Sequence, residues 1–100
     1  MDELLSLFPA PAEGVASRVV DGLAVAVTPE DSTLHTFENE VATEIWRLAD
    51  GRRPVSEIVD GITAAFEVDR ARAEEDVLRF VRLLRERGLV EFSPEARPSR

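Results

Sequence analysis

The chain has 100 residues, which is enough for one domain with a single modest hydrophobic core. Its apolar fraction of 44% is ordinary for a folded protein and argues against disorder. The chain has no cysteine and one histidine, which excludes a disulfide framework, a thiolate metal site and a histidine-based metal cluster within one chain. We expect no metal and no cofactor.

The formal net charge of -8 disfavours a nucleic-acid partner, because affinity for phosphates comes mostly from a basic surface. No apolar run in the sequence approaches the roughly 20 residues that span a bilayer. The chain begins Met1-Asp2-Glu3, without the basic region of a secretory signal. We therefore predict a cytoplasmic protein with no membrane partner.

Residues 1–14 combine an apolar cluster at residues 4–8 with two prolines and a glycine. The prolines end a helical turn quickly, and chain termini are usually poorly ordered. We predict a flexible N-terminal tail over residues 1–14. The alternative is a segment that covers an exposed groove or edge of its own chain or of a neighbouring one.

The valine-rich residues 15–20 and 23–28 predict two strands joined by Asp21-Gly22. A two-residue Asp-Gly loop between β-formers indicates a hairpin, because both turn positions need positive φ. A turn over residues 29–32 leads to a predicted third strand, residues 33–37. Three strands cannot close on themselves, so at least one edge keeps unpaired backbone groups.

Residues 39–51 predict the first helix. The side chain of Asn39 can accept an unpaired amide of the first turn, and Gly51 can adopt the left-handed conformation that ends a helix. Apolar residues recur between them at helical spacing, and Trp46, the only tryptophan, lies on that face. We expect Trp46 to form the centre of the core.

Residues 55–66 predict a second helix with one apolar face. Pro54 is acceptable at its start, where the missing N–H of proline costs nothing. Gly61 lies inside this helix and weakens it by ~1 kcal/mol relative to alanine.

Residues 70–87 predict a third helix, for which Asp69 is a suitable N-cap. Most of its acidic residues lie near its N-terminal end and most of its arginines near its C-terminal end, as the helix dipole favours. Gly88 is a left-handed stop. Residues 89–92 then predict a short strand, and residues 93–100 a C-terminal tail.

The element order predicts an α+β fold similar to a winged helix-turn-helix, with a three-stranded antiparallel sheet followed by three helices (β-β-β-α-α-α). The folded domain is expected over residues 15–92. All three helices contribute to the predicted structural core, which consists of Ile45, Trp46, Ile58, Ile62, Phe66, Val77, Val81 and Leu84.

Motifs that carry catalysis are missing: the chain has no glycine-rich phosphate loop and no serine in a nucleophile-elbow context. The carboxylates lie mostly on polar helix faces or near caps, whereas acid–base catalysis needs buried pairs. His35, on the third strand, is more typical of a cross-strand or surface side chain than of a catalyst. We predict that the protein is not an enzyme and has no catalytic residues.

The run Asn-Glu-Val-Ala-Thr-Glu-Ile-Trp-Arg-Leu-Ala-Asp-Gly at residues 39–51 closely resembles the first helix of the PqqD-like family. This family comprises the small RiPP recognition elements, which hold precursor peptides for modifying enzymes. The resemblance runs from about residue 15 to about residue 90. It also rests on the following segments: residues 18–22 (Arg-Val-Val-Asp-Gly), residues 55–59 (Val-Ser-Glu-Ile-Val), residues 66–69 (Phe-Glu-Val-Asp), residues 76–84 and residues 88–90 (Gly-Leu-Val).

The resemblance implies a stand-alone peptide chaperone that binds the leader of a ribosomally made precursor by strand addition to the third strand, beside the third helix. It also implies a modifying enzyme as a partner, often a radical SAM enzyme. The implied peptide-binding residues are Thr33, Leu34, His35, Thr36, Phe37, Asp76, Arg79, Phe80, Leu83 and Arg87. Because the third helix has six arginines against four acids, we expect it to suit an acidic leader.

One departure from the family affects the third strand. The family usually has leucine immediately before the helix-opening asparagine, but this chain has Glu38 there and Phe37 one residue earlier. Either the strand ends with a bulge or its register shifts by one residue, and a one-residue slip swaps the faces of a strand.

Two other functions stay open. In a DNA-binding winged-helix regulator the third helix would enter the major groove, although the net charge and the acids on that helix oppose this role. In a structural module the sheet edge or the N-terminal tail would pair two copies as a homodimer.

Overall fold

The computed structural model describes residues 3–96, which form two antiparallel sheets and three helices. The elements in chain order are a 3-10 turn (Glu3–Ser6), β1 (Phe8–Pro11), β2 (Ala16–Val20), β3 (Leu23–Val27), β4 (Leu34–Thr36), α1 (Glu40–Leu48), α2 (Val55–Phe66), α3 (Arg70–Glu86) and β5 (Val90–Ser93). One sheet has the strand order β2-β3-β4, and the other pairs β1 with β5. The predicted α+β fold, with a three-stranded sheet before three helices, is confirmed; the second sheet is an addition.

The turn of the first hairpin and the start of the first helix agree with the signals in their sequences. Asp21 and Gly22 both have positive φ, 53° and 81°, in the turn between β2 and β3. The side chain of Asn39 accepts the N–H of Ala42 at 2.8 Å, which satisfies one amide of the first turn of α1. Gly51 has a φ of 83° but lies three residues beyond the last residue of α1, whose C-cap is Ala49, so Gly51 does not itself end the helix as predicted.

The end of α3 also follows its sequence signal. Gly88 has a φ of 75°, which costs a glycine nothing because it has no Cβ. Its N–H donates to the carbonyl of Arg85 at 3.0 Å, and the N–H of Leu89 donates to the carbonyl of Leu84 at 2.9 Å. These two bonds are the Schellman pattern, and they turn the chain from α3 into β5.

The start of α3 has a weaker cap than its sequence suggests. Asp69 occupies the N-cap position, but its side chain makes no hydrogen bond to the helix. The N-cap of α2 is Pro54, whose side chain has no polar atom to cap with. Gly61 has a packing reason to lie inside α2, since a Cβ at this position would be 3.0 Å from Cδ1 of Leu48. The missing methyl group thus lets α1 and α2 approach each other.

The N-terminal segment, predicted as a loose tail, is part of the fold over its described residues. Leu4 is 5% exposed and packs into the core, and β1 is the partner of β5. The N–H of Val55 donates to the carbonyl of Leu7 at 3.0 Å, so the segment is also bonded to the start of α2. The alternative prediction, that this segment covers an edge of its own chain, fits what is seen. Residues 1–2 lie outside the described residues.

The two prolines of β1 are compatible with the sheet because of where they fall. The N–H of Ala12 donates to the carbonyl of Leu89 at 2.9 Å, and bonded pairs alternate along an antiparallel ladder. Pro9 and Pro11 therefore occupy positions whose backbone nitrogens face away from β5. The outward carbonyl of Pro9 accepts the N–H of Gly51 at 2.8 Å.

The C-terminal tail was predicted to begin at residue 93, but Ser93 is the last residue of β5. Residues 97–100 lie outside the described part.

The core consists of two clusters. The larger lies between the three helices and contains five of the predicted core residues: Ile45, Ile58, Ile62, Val77 and Val81. Phe66 is half-buried and packs against this cluster. The smaller cluster lies between the three-stranded sheet and the helices and contains Trp46 and Leu84. Trp46 is thus buried but is not the centre of the core: the small side chains of Ala24 and Ala26 leave room for its ring beside the sheet.

Candidate functional site: an edge strand beside a helix

The strand β4 has a free edge. The N–H of Phe37 donates to the carbonyl of Ala24 at 2.9 Å, and the N–H of Thr28 donates to the carbonyl of Thr33 at 3.1 Å. Because bonded pairs alternate along an antiparallel ladder, the backbone groups of Leu34 and Thr36 point away from β3. No further strand lies beyond β4 in the sheet formed by residues 3–96. These outward groups can bond an incoming extended chain.

The same register fixes which side chains face the helices. His35 lies opposite Ala26, which is on the inner face of the sheet. Leu34, 61% exposed, and Thr36 are on the outer face, since side chains alternate along a strand. The pairing continues regularly to Phe37, so the strand has no bulge before Glu38. Glu38 is exposed in the short connection to α1.

A groove of about 320 Å³ separates β4 from the C-terminal half of α3. Phe37 forms its floor: the side chain is only 6% exposed, and its ring lies 5.6 Å from that of Phe80 and 5.3 Å from that of Trp46. The residues that line the groove are Thr33, Leu34, His35, Thr36, Phe37, Phe80, Leu83, Leu84, Arg87 and Leu89.

A second groove, of about 440 Å³, continues along α3 toward its N-terminal half and has α1 as its other wall. The two grooves meet at Phe80 and Leu83, which line both. The second groove is lined by Asn39, Val41, Ala42, Ile45, Arg72, Asp76, Arg79, Phe80 and Leu83. Together the two grooves form one furrow along α3 from Arg72 to Arg87.

The structure brings eight of the ten predicted site residues together in the first groove and places Asp76 and Arg79 in the second. Phe37 contributes to the groove as its nearly buried floor rather than as an exposed wall. The α1 wall of the second groove, which includes Val41, was not among the residues predicted for the site. The prediction also left out Leu89 and assigned Leu84 only to the core.

The arginines of the furrow differ in their partners. Arg72 contacts Asp76 at 3.2 Å, and Arg79 contacts Glu75 at 3.4 Å and Asp76 at 3.7 Å. These pairs are exposed, and such pairs stabilise a fold little, but they neutralise the cations locally. Among the described residues, no carboxylate lies within ion-pair distance of Arg87. The first groove therefore ends at a cation without a partner.

His35 contributes a second unsatisfied group. Its Nε2 atom is buried and has no hydrogen-bond partner within the described part of the chain. A buried polar atom without a partner is unfavourable, and a ligand that supplies the bond recovers that cost. Both His35 and Arg87 line the first groove.

The turn before β4 is held by a carboxylate. Asp31 accepts hydrogen bonds from the hydroxyl of Thr28 and from the N–H of Thr33, the latter at 3.1 Å. These bonds, that of the Thr28 hydroxyl above all, lower the pKa of Asp31 below its ordinary value. The turn thereby sets where β4 begins.

Residues 3–96 hold no group of three or more histidine, aspartate or glutamate side chains arranged to bind a metal ion. Over the same residues, no helix combines the length and the apolar character needed to cross a membrane.

Sequence comparison connects this arrangement with known proteins. The family model described as "Coenzyme PQQ synthesis protein D (PqqD)" matches residues 24–90. The PqqA binding protein of Rhodopseudomonas palustris (strain TIE-1) is 33% identical over 60 residues, which is 60% of this chain and 59% of that protein. The corresponding protein of strain HaA2 is 32% identical over the same length. The chain thus spans less than two thirds of these relatives.

Two solved structures share both fold and sequence with this chain. One is TbiB1 in complex with the TbiA(beta) leader peptide, with a TM-score of 0.74 and 32% identity over 82% of this chain and 94% of TbiB1. The other is the solution NMR structure of the PqqD truncation of Methylobacterium extorquens PqqCD, a functional and stand-alone RiPP recognition element. Its TM-score is 0.67, with 26% identity over 83% of this chain and 87% of that chain. Since the family model covers more than half of the sequence, the chain belongs to the PqqD family.

Proposed function

We propose that this protein is a RiPP recognition element that binds the leader segment of a ribosomally synthesised precursor peptide. The observation that carries the proposal is the free edge of β4 beside α3 in a chain of the PqqD family. The likeness to TbiB1, which was solved with a leader peptide, supports it. The name of the relatives, PqqA binding protein, points to a peptide-binding role as well.

Binding would proceed by strand addition. An extended peptide would exchange backbone hydrogen bonds with Leu34 and Thr36, which gives affinity without regard to sequence. Alternate side chains of the peptide would face Phe80 and Leu83, which gives specificity. The furrow follows about 22 Å of α3 from Arg72 to Arg87, and this length accommodates roughly six or seven extended residues.

The ten predicted peptide-binding residues have unequal roles in this proposal. Leu34, Thr36 and Leu83 meet the peptide directly, and Phe37 supports the groove from below. Thr33 and His35 belong to the strand side and Phe80 and Arg87 to the helix side of the first groove. Asp76 and Arg79 would meet only a peptide long enough to enter the second groove.

We assign the chain a binding role with no catalytic residue and no cofactor, and a separate modifying enzyme acts on the peptide that it presents. A radical SAM enzyme is the first class of partner to test. The DNA-binding alternative has less support, because Arg72 and Arg79 on α3 are engaged by acids of the same helix.

The test is a titration of the ¹⁵N-labelled protein with the leader of a precursor peptide encoded beside its gene. We expect saturable shifts of the amides of Leu34 and Thr36, together with a change in the fluorescence of Trp46, which contacts Phe37 in the floor. Duplex DNA of equal concentration is the control ligand. Absence of binding at high micromolar peptide, or shifts confined to other surfaces, would contradict the proposal.

The same titration must separate peptide binding from self-association. The free edge of β4 could also pair with a second copy, as a homodimer that competes with the leader. Light scattering at several protein concentrations, with and without the peptide, distinguishes the two. If the measured mass falls to that of the monomer as peptide is added, the peptide and the second copy bind the same edge.

A further inference from the structure

We propose that the Arg87 end of the first groove is a subsite for an acidic side chain of the bound peptide, where Arg87 and His35 together bind the carboxylate. The inference rests on the proposed peptide-binding function and adds the class of residue that the peptide must carry.

The arginines along the furrow of α3 differ in whether acids neutralise them. Arg72 and Arg79 are neutralised by Glu75 and Asp76 on the same helix. Arg87, at the C-terminal cap of α3, is exposed and has no carboxylate within ion-pair distance among the described residues. An acidic ligand in the furrow therefore finds its unneutralised cation at this end.

His35 adds an unsatisfied nitrogen to the same groove. Its Nε2 atom is buried without a partner, and the side chain lines the same groove as Arg87. In the tautomer that carries a proton on Nε2, this atom donates a hydrogen bond to a carboxylate oxygen. A carboxylate can accept bonds from several donors at once, so one acidic side chain can satisfy both groups.

The apolar surroundings strengthen such contacts. Leu83, Leu84 and Leu89 line the same groove, and Leu84 and Leu89 are buried. Charge-assisted hydrogen bonds are stronger where water is excluded. An amide of the same shape would lose the charge and leave the guanidinium unpaired, so the subsite should distinguish glutamate from glutamine.

The geometry also predicts a spacing in the peptide. Leu83 and Arg87 are one helical turn apart, a rise of about 6 Å. Residues two apart in an extended chain face the same side and are about 6.6 Å apart. The peptide should therefore carry its acidic residue two positions from the apolar residue that contacts Leu83.

Acids on the far side of Arg87 are the competing partners. Arg87 also borders a cavity lined by Glu13, Glu30, Asp31 and Glu91. None of these carboxylates is within ion-pair distance of it in the described residues, so the guanidinium is available to the groove. If they held it in solution, the Arg87→Glu substitution would leave the affinity for acidic peptides unchanged.

The experiment selects binders from a display library of random 12-residue peptides against the wild type and against Arg87→Glu. We expect wild-type binders to share aspartate or glutamate two positions from an apolar residue. One such peptide should bind Arg87→Glu roughly tenfold more weakly or worse, and replacing its acid by lysine should recover affinity for that variant. His35→Phe, which keeps a ring but removes the Nε2 donor, should also weaken binding of the acidic peptide.

Arg82→Glu is the matched control, because Arg82 is an exposed arginine of the same helix that lines neither groove. Equal losses for the Arg82 and Arg87 variants would indicate a general charge effect and overturn the subsite. Binders that shift the amides of Leu34 and Thr36 but show no acidic preference would overturn the inference and leave the proposed function standing. A library without any binder at this edge would overturn both.

Discussion

The ring of Phe80 on α3 meets the ring of Phe37 edge-on, with centroids 5.6 Å apart and planes at 79°. Phe37 in turn lies 5.3 Å from Trp46 on α1. The edge strand and the helix that form the two sides of the groove are therefore joined by an aromatic contact beneath it. The packing of the core therefore sets the width of the groove. Substitutions beneath the groove should affect the stability of the fold, whereas substitutions on its surface should affect peptide binding.

We expect Phe37→Ala to lower mainly the stability of the fold and Leu83→Ala to lower mainly the affinity for the peptide. Phe37 is 6% exposed, and removing a buried phenylalanine ring costs about 3–5 kcal/mol of unfolding free energy. Leu83 is 39% exposed, so its truncation should cost about 1 kcal/mol or less while removing apolar contact with the peptide. Urea denaturation and peptide titration of both variants test this. A Leu83→Ala variant with full affinity would remove Leu83 from the site.

Proline substitution tests the direction of the backbone groups of β4. The N–H of Thr36 points away from β3, so Thr36→Pro should leave the sheet intact but remove a donor to the peptide, lowering affinity by about tenfold. The N–H of His35 points toward β3, so His35→Pro should unfold the hairpin. Thermal unfolding and peptide affinity are measured for both. Loss of stability in Thr36→Pro equal to that in His35→Pro would refute the assigned register.

The turn at Asp31 predicts a pH dependence with a definite sign. Because the folded state lowers the pKa of Asp31, its stabilisation is present above the ordinary aspartate value of about 3.9 and is lost as the pH falls through the lower folded value. The melting temperature of Asp31→Asn should therefore approach that of the wild type at acid pH and lie below it at neutral pH. Glu30→Gln controls for the loss of one charge. Parallel curves for Asp31→Asn and the wild type would contradict the assignment.

Elements with local signals were predictable from the sequence. The Asp21-Gly22 turn, the Asn39 cap and the Gly88 stop each depend on residues within one or two turns of chain, and all three formed as expected. The pairing of β1 with β5 joins segments about 80 residues apart, and no local pattern encodes it. The two prolines lack the N–H that a strand donates, and periodicity alone does not reveal which backbone nitrogens face a partner.

The sequence predicted which segments form the site but not which faces of β4 and α3 point toward each neighbour. On β4, Leu34 is apolar on one face and Phe37 on the other, so alternation could not decide which face is buried. Pairing with Ala24 decides it and turns Phe37 inward. On α3, Asp76 and Arg87 are eleven residues apart, about three helical turns, and therefore lie on the same flank. Because β4 has only three residues, the N-terminal part of that flank faces α1 instead.

The N-terminal segment should contribute to stability as a core element. Leu4 is 5% exposed against the cluster between the helices, so Leu4→Ala should lower the unfolding free energy by about 2–5 kcal/mol. The exposed neighbour Glu3 provides the control, since Glu3→Ala should change it by about 0.5 kcal/mol or less. Chemical denaturation measures both. A Leu4→Ala protein as stable as the wild type would restore the loose-tail interpretation.

Because Phe8 lies opposite Ser93 in the β1–β5 sheet, the first and last strands of this fold lie side by side. A unit whose first and last strands are adjacent can be inserted into a loop of a larger protein, since such an insertion needs only short connections to the host. The groove along α3 and the edge of β4 would keep their shape in either arrangement. The same small sheet that closes the fold thus also makes it suitable as an inserted domain.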